Sequence, residues 1–243
     1  MRVEWLEEVD STNSWLRREA PAVAGTLMVA ARRQTAGRGQ RGNSWESEPG
    51  SNLTFSVLYH PLAIAPREQF MLSEAVALAV CDTLGSFGIR ASVKWPNDIY
   101  AGDLKICGIL IEHALLGAAI SHTVIGVGLN VNQLVFHSDA PNPVSMAALA
   151  GHPFPLEEVC ARVADAMEAR LAQLERRDFD ALHSLYMSRL WRGAGEWPFV
   201  DCREKSRIRA SIHGIAPDGT LTLRLADGSS RAYAFKEVTF PLD

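Results

Sequence analysis

The apolar residues of the chain fall into two alternating kinds of period. Leu53, Phe55, Val57 and Tyr59 alternate with Thr54, Ser56, Leu58 and His60, which predicts a half-buried strand. Upstream, the run at 27–31 predicts a buried strand, and residues 3–9 are a mixed stretch ahead of Asp10, Ser11, Thr12 and Asn13. Those four polar residues form a dense N-cap signal, so a helix is expected to start there. Leu72, Val76, Val80, Leu84 and Phe87 recur at helical spacing and predict a packing helix within 67–87. After residues 92–95, Pro96 marks a strand end. The turn at 101–103 then closes a hairpin whose second arm is the apolar run 106–116. Residues 122–132 predict one more strand. Helical spacing returns at Leu156, Val159, Val163, Met167, Leu171 and Leu174, and again at Phe179, Leu182, Leu185, Tyr186 and Leu190. Beyond Gly193 and Gly195 the chain turns to short β runs at 208–212, 221–225 and 233–235, punctuated by Pro217-Asp218-Gly219 and Asp227-Gly228. The pattern predicts an α/β body over 1–195 and a small all-β domain over 196–243.

Composition narrows the possibilities. With 243 residues, 47% hydrophobic and 21% charged, the chain can bury a sizeable core and reads as globular. A formal net charge of -4 argues against a dedicated nucleic-acid binder, so no nucleic-acid partner is expected. Cys81, Cys107, Cys160 and Cys202 stand far apart with no CxxC pair, and neither zinc nor a disulfide framework is indicated. The opening MRVEWLEEVD lacks the basic and apolar regions of a signal peptide. No apolar run approaches the ~20 residues of a bilayer span. A cytoplasmic location without membrane attachment is the expectation.

The candidate chemistry gathers in a few stretches. Residues 32–45 place Gly37, Gly39 and Gly42 around Arg38 and Arg41 between two strands. Glycines let a backbone approach a ligand closely, and guanidinium groups fork onto phosphate or carboxylate oxygens. The loop suits a small anion; the other reading is a mobile basic surface loop. Ser11, Thr12 and Asn13 are more hydrogen-bonding groups than one cap requires, so they either cap the helix or address a polar ligand. Trp45 is a core anchor or, in so polar a setting, a stacking platform. The hairpin can bring Asp98 near Lys105, whose alternative is a lysine snorkelling at a strand mouth. Gly126 and Gly128, two apart, share one strand face and leave a flat groove. Asn130 and Asn132 can cap the next segment of chain or hold a phosphate.

Taken together, DSTN at 10–13, QTAGRGQRGNSW at 34–45, KWPND at 94–98, Lys105 followed by ICGIL, and IGVGLN at 125–130 resemble the successive motifs of biotin protein ligases. Five motifs in order over about 130 residues make the resemblance specific. It implies a class II aminoacyl-tRNA-synthetase-like body, an α+β fold with a mixed sheet and flanking helices, and a small SH3-like β-barrel at the C-terminus. It implies two steps: biotin and ATP give biotinyl-5′-AMP and pyrophosphate, and biotin then passes to a lysine of a biotin carboxyl carrier protein. By that similarity Lys105 and Arg38 are the catalytic pair, bridging the biotin carboxylate and the α-phosphate. Ser11, Thr12, Asn13 and Gln34 would address the ureido ring. Gly39, Gln40, Gly108, Gly126 and Gly128 would line the biotin path. Arg38, Arg41, Trp45, Asn97, Asp98 and Asn130 would border ATP. Magnesium is expected with the phosphates, with no protein ligand assigned.

Two departures matter. The glycine loop of this family often reads GRGRxG, and here Gln40 replaces the second arginine; it hydrogen-bonds but cannot neutralise charge. Some relatives carry a DNA-binding domain ahead of the DSTN motif, whereas only nine residues precede Asp10, so operator binding is not expected. A sheet edge can pair two protomers into a homodimer or dock the carrier. The alternatives are a lipoate or octanoate ligase of the same superfamily, and a non-catalytic biotin-binding module.

Overall fold

The computed structural model describes residues 1–137 and 142–242, and of Arg41 the backbone alone. Two sheets organise it. The larger has seven strands in the order β1-β2-β3-β7-β6-β5-β4: β1 (Arg2–Val9), β2 (Leu27–Gln34), β3 (Leu53–Tyr59), β4 (Ser92–Lys94), β5 (Asp98–Ala101), β6 (Leu104–Leu116) and β7 (Ala119–Leu129). Only β1 and β2 are parallel, joined by the crossover helix α1 (Thr12–Glu19), so the sheet is mixed. A parallel pair requires such a crossover because its strands cannot be joined by a tight turn. The residue pattern does not single out β1 as a strand; its solvent-facing glutamates, on an edge strand, blur the alternation.

The helices α2 (Phe70–Ser86), α4 (Leu156–Glu175) and α5 (Phe179–Ser188), with the short α3 (Met146–Ala150), complete the body. Met28, Phe55, Val57, Ile125 and Val127 pack on one sheet face into a continuous core with Leu72, Val76, Val80, Val163 and Met167 of α2 and α4. On the opposite face α1 covers only part of the sheet, through Leu16 against Leu27, Val29, Leu58 and Val124. The expectation of a half-buried β3 is therefore corrected: all seven of its residues are buried, because α1 occupies the face that the alternation assigned to solvent. The rest of that face stays open.

Across the open face two rows of directly opposed residues run through the sheet. One row passes Ala31, Thr54, Gly128, Gly108, Asp98 and Lys94; the next passes Val29, Ser56, Gly126 and Leu110. Opposed residues share a face. Three glycines thus flatten the floor beside α1's N-terminus, and the hairpin of β5 and β6 delivers Asp98 to the same row.

The second sheet is antiparallel, with order β11-β10-β9-β8-β12, from β8 (Trp197–Asp201), β9 (Ser206–Ile215), β10 (Leu221–Leu225), β11 (Ser230–Tyr233) and β12 (Val238–Thr239). The hairpin signals at 217–219 and 227–228 sit at the turns between β9 and β10 and between β10 and β11. The expected strand at 233–235 ends instead at Tyr233, because Phe235 leaves the sheet to pack between Phe70 and Trp95, with ring centroids 6.0 and 5.3 Å away. Trp95 Nε1 also donates to Gly219 O at 3.0 Å, and a Cβ at Gly219 would press on Phe70 and Phe235. These contacts fix the small sheet against the large one.

Within the small sheet, buried Asp201 accepts the Tyr233 hydroxyl at 2.9 Å and the backbone N–H groups of Arg203 and Glu204. Burial pushes its carboxyl pKa up, but these donors and the Arg203 charge outweigh it and hold the group at about 2, against 3.8 ordinarily. A depressed carboxyl contributes stability that is complete above the ordinary value and is lost as pH falls through the folded one. Asp201→Asn is therefore expected to lower the melting temperature at pH 7. That difference from the parent protein should narrow as pH drops from about 4 towards about 2; a difference constant with pH would exclude the ionic origin.

Candidate active site

On the glycine floor lies a cavity of about 600 Å3. It is bounded by the start of α1, the loop after β2, the hairpin of β5 and β6, and the turn after β11. Its polar end is built from α1. Ser11 occupies the N-cap position without a side-chain cap bond, so capping does not account for it. Thr12 donates its backbone N–H to Gln34 Oε1 at 2.8 Å, and its hydroxyl lies 2.7 Å from Ser56 Oγ. Ser56 donates to Asn13 Oδ1 at 2.5 Å, and Asn13 Nδ2 donates to Glu112 Oε2 at 3.0 Å. Asn13 lies flat on Gly126, where any Cβ would collide with its amide. Gln34 Nε2 and the Ser11 hydroxyl have no protein partner among the described residues and are free for a ligand.

The glycine loop folds back on itself. Trp45 N–H donates to Gly37 O at 3.0 Å and Gly39 N–H to Asn43 O at 2.7 Å. A Cβ at Gly37 would meet the Trp45 carbonyl oxygen at 2.5 Å. The far end is tied down by Gln133, whose Oε1 accepts from Glu48 N–H and Asn52 Nδ2 while its Nε2 donates to Glu46. This closure lays the Trp45 indole over Gly128 and Gly108, where a Cβ would strike it. The ring is half-buried and its Nε1 has no hydrogen-bond partner among the described residues. Of the two readings of Trp45, the structure favours the platform: it covers the floor of the cavity rather than joining the core.

Two of the cations that border the cavity, Arg38 and Lys105, are each paired with a carboxylate. Arg38 forms a bidentate pair with Glu112, Nη1 and Nη2 each 3.1 Å from one oxygen, and Arg17 reaches the same carboxylate at 3.3 Å. Lys105 Nζ lies 2.7 Å from Asp98 Oδ1, both side chains about one-fifth exposed, and 5.9 Å from the Trp45 ring. The hairpin therefore makes the expected Asp98–Lys105 approach, and the lysine does not snorkel away. Behind them Lys94, opposite Asp98, faces the rings of Tyr100 and Phe240 at 5.1 and 5.9 Å. Burial lowers its pKa, Asp98 opposes that shift, and repulsion from Lys105 and Arg192 adds to it.

Of the residues given a catalytic, biotin or ATP role from the sequence, every one whose side chain is described borders this cavity, whereas Asn132, the other candidate phosphate holder, does not. Ser11, Thr12, Asn13, Gln34, Arg38, Gly39, Gln40 and Trp45 come from α1 and the loop; Asn97, Asp98, Lys105 and Gly108 from the hairpin; Gly126, Gly128 and Asn130 from β7 and its end. The side chain of Arg41 lies outside the described residues. Asn130 is engaged locally, its Nδ2 donating to Val144 O at 3.0 Å, and Asn132 pairs with the Phe154 backbone through both its amide atoms. Asn132 therefore tethers the segment after it. Glu112, Ser56 and Lys236 are site residues that the sequence does not single out. Glu112 is legible only through register, since it succeeds Gly108 and Leu110 by twos and so shares their face. Among the described residues no group of three or more His, Cys, Asp or Glu can hold a metal, and no helix is long and apolar enough to cross a membrane. All four cysteines are free thiols.

Residues 5–130 match the Biotin/lipoate A/B protein ligase family. A biotin--[acetyl-CoA-carboxylase] ligase of Paracoccus denitrificans is 32% identical over 228 residues, covering 90% of this chain and 92% of that one. A biotin--[acetyl-CoA-carboxylase] ligase of Mycobacterium tuberculosis is 28% identical over 224 residues, 88% of this chain and 76% of that one. Among solved structures, the biotin protein ligase from Aquifex aeolicus in complex with biotin and ATP superposes with a TM-score of 0.81 at 25% identity, covering 98% of this chain and 97% of that chain.

The pairing of Arg38 with Glu112 carries its own test. Glu112→Gln keeps the size of the side chain but removes the charge that holds two arginines, so the loop at 37–42 should open more often in the ligand-free protein. Trypsin is expected to cut after Arg38 several-fold faster than in the parent, with the melting temperature little changed, since an exposed pair contributes only about 0.2–1 kcal/mol. An unchanged cleavage rate would show that the ion pair does not hold the loop.

Proposed function

The chain belongs to the biotin/lipoate A/B protein ligase family, and on that premise we propose that it activates biotin with ATP and transfers it to a lysine of a biotin carboxyl carrier protein. The observation that carries this reading is a single cavity bordered by both Arg38 and Lys105 and by the hydrogen-bonding groups of Thr12, Gln34 and Ser11. A biotin carboxylate oxygen attacks the α-phosphorus, a new O–P bond forms, the bond to the β-phosphate oxygen breaks, and pyrophosphate departs. The carboxylate and the phosphates repel each other, and Lys105 and Arg38 offset that repulsion. Asp98 and Glu112 hold the two cations at the cavity, and positioning with electrostatics supplies most of the catalysis. In the second step the carrier amine attacks the acyl carbon, an amide bond forms, the C–O bond to phosphate breaks, the amine loses its proton, and AMP leaves.

The residue roles accord with the same geometry. Ser11, Thr12, Asn13 and Gln34 address the ureido ring, with Gln34 Nε2 and the Ser11 hydroxyl as free partners. Gly126, Gly128 and Gly108 keep the floor flat under the Asn13 amide and the Trp45 indole, the slender valeryl chain is assigned to the groove beside those side chains, and Gly39 and Gln40 fold over it. Trp45 covers the adenine side, bordered by Asn97, Asp98 and Asn130, and Arg41 serves the phosphates. Magnesium would enter with ATP and neutralise phosphate charge. Asp98, and Asn97 through its Oδ1, fit it, since Asn97 spends its Nδ2 on Ile109 O at 2.8 Å and its Oδ1 has no protein donor among the described residues. Such a set of one or two protein oxygens is what magnesium takes alongside phosphates.

Residues 1–195 are assigned as the catalytic domain and 196–243 as the appended β domain, a division supported by the separate antiparallel sheet that starts at Trp197. Past Gly108, no strand among the described residues pairs with the outer side of β6, and Leu115 and Leu116 at its tip are exposed. That open edge is assigned to pairing, with the carrier or with a second protomer in a homodimer. A cytoplasmic location remains part of the reading, as does the absence of nucleic-acid binding, which the acidic net charge of -4 supports.

Incubation with ATP, magnesium, a carrier domain and, in parallel, biotin, lipoate or octanoate tests the substrate. Mass spectrometry of the carrier lysine is expected to show the biotinyl adduct alone, and a lipoyl or octanoyl adduct instead would overturn the assignment. Lys105→Ala and Arg38→Ala are each expected to reduce biotin-dependent ATP–pyrophosphate exchange by at least about a hundredfold, the scale of a lost transition-state donor. Undiminished exchange in Lys105→Ala would refute the role given to that lysine.

A further inference from the structure

The small C-terminal sheet supplies one cation to the cavity of the large one. Lys236, in the turn between β11 and β12, borders the cavity together with Asn97, Asp98 and Lys105. Its backbone is left-handed, φ +71, a conformation natural to glycine and tolerated by asparagine but unfavourable for a lysine. Such strain persists only where the surroundings enforce it, and it clusters at functional positions. The neighbouring Phe235 is wedged between Phe70 and Trp95, which holds the turn, and with it Lys236, at the border of the cavity. Lys105 is paired with Asp98 and Arg38 with Glu112. Lys236, by contrast, has no ion pair or side-chain hydrogen bond among the described residues.

Sheet order settles which part of a substrate it faces. The hydrogen-bonding groups of α1 and Gln34 lie over β2, β3 and β7; Asp98 and Lys105 lie further across, on β5 and β6; and Lys236 approaches from the β4 and β5 side, where Phe235 meets Trp95. Displacement at a phosphorus runs in line, with the attacking and leaving oxygens on opposite sides. A carboxylate arriving from the β3 and β7 side therefore expels its leaving group towards β5 and β4.

We propose that Lys236 binds the β- and γ-phosphates of ATP and the departing pyrophosphate, so that the C-terminal sheet completes the nucleotide site. This rests on the ligase reading above. It makes the small sheet part of the adenylation step and gives the chain a phosphate cation that is not carried by the glycine loop, where Gln40 provides no charge.

Lys236→Gly is the decisive variant, because glycine relieves the left-handed strain and the protein should melt no lower than the parent. Relative to wild type, the KM for ATP is expected to rise on the order of tenfold, as for loss of one charged hydrogen bond. The concentration of pyrophosphate needed for exchange should rise in parallel, while the KM values for biotin and for the carrier domain stay unchanged. Lys236→Arg should restore both phosphate-dependent values. An ATP KM within about twofold of wild type in Lys236→Gly, below any charged-bond loss, would overturn the proposal. So would a raised carrier KM with an unchanged ATP KM, which would place the lysine in carrier docking. Wild-type protein that gives no biotin-dependent exchange would sink the ligase reading itself; exchange that is intact and equal in both proteins would sink this inference alone.

Discussion

What the site depends on is the absence of side chains at three points on one sheet face. Gly108, Gly126 and Gly128 lie in two adjacent cross-strand rows, and a single methyl at Gly126 or Gly128 would occupy space now filled by Asn13 or Trp45. The flat floor lets the α1 amide and the loop indole sit directly on the sheet backbone. Side chains on α1, the loop and the hairpin can then meet over a few ångströms although they are separated by up to about a hundred residues in sequence. A sheet face with ordinary side chains would hold these elements apart and fill the cavity.

On that floor the charges are arranged in pairs. A cation half-removed from water is costly to leave alone, and an anion beside it lowers that cost while fixing the direction of the side chain. Glu112 does this for Arg38 and Asp98 does it for Lys105. Glu112 also receives Asn13, and Asn13 is joined through Ser56 and Thr12 to Gln34. One hydrogen-bonded chain therefore links Gln34 and the start of α1 to the arginine of the glycine loop. Networks of this kind act as units, so the effect of changing one member is not confined to its nearest neighbour.

Much of this is legible in the sequence where the physics is local. The two-residue spacing of Gly126 and Gly128 fixes a shared face, Pro96 ends a strand, and a tight turn at 101–103 must bring Asp98 back towards Lys105. The Arg/Gly loop and the surplus polar residues at 11–13 are visible as composition. The rest depends on partners distant in sequence. The alternation of β3 carries no sign that α1 covers its second face, and an edge strand such as β1 shows little pattern because little of it is buried. Glu112 reads as an ordinary strand residue until the register puts it opposite Val124 on the cavity side. Lys236 carries no signal at all in the sequence, since its significance lies in a backbone angle and in the seating of Phe235.

The indole N–H of Trp45 is the one polar atom on the cavity floor, among the described residues, that is shut away from water with nothing to bond. Leaving such a donor unsatisfied costs about 1–3 kcal/mol. An indole that lifts from Gly128 exposes this N–H to water or to an acceptor and recovers the energy, so the ring rests on the floor at a cost that its movement returns. The cover over the glycine floor is thus one that is ready to shift rather than one locked in place.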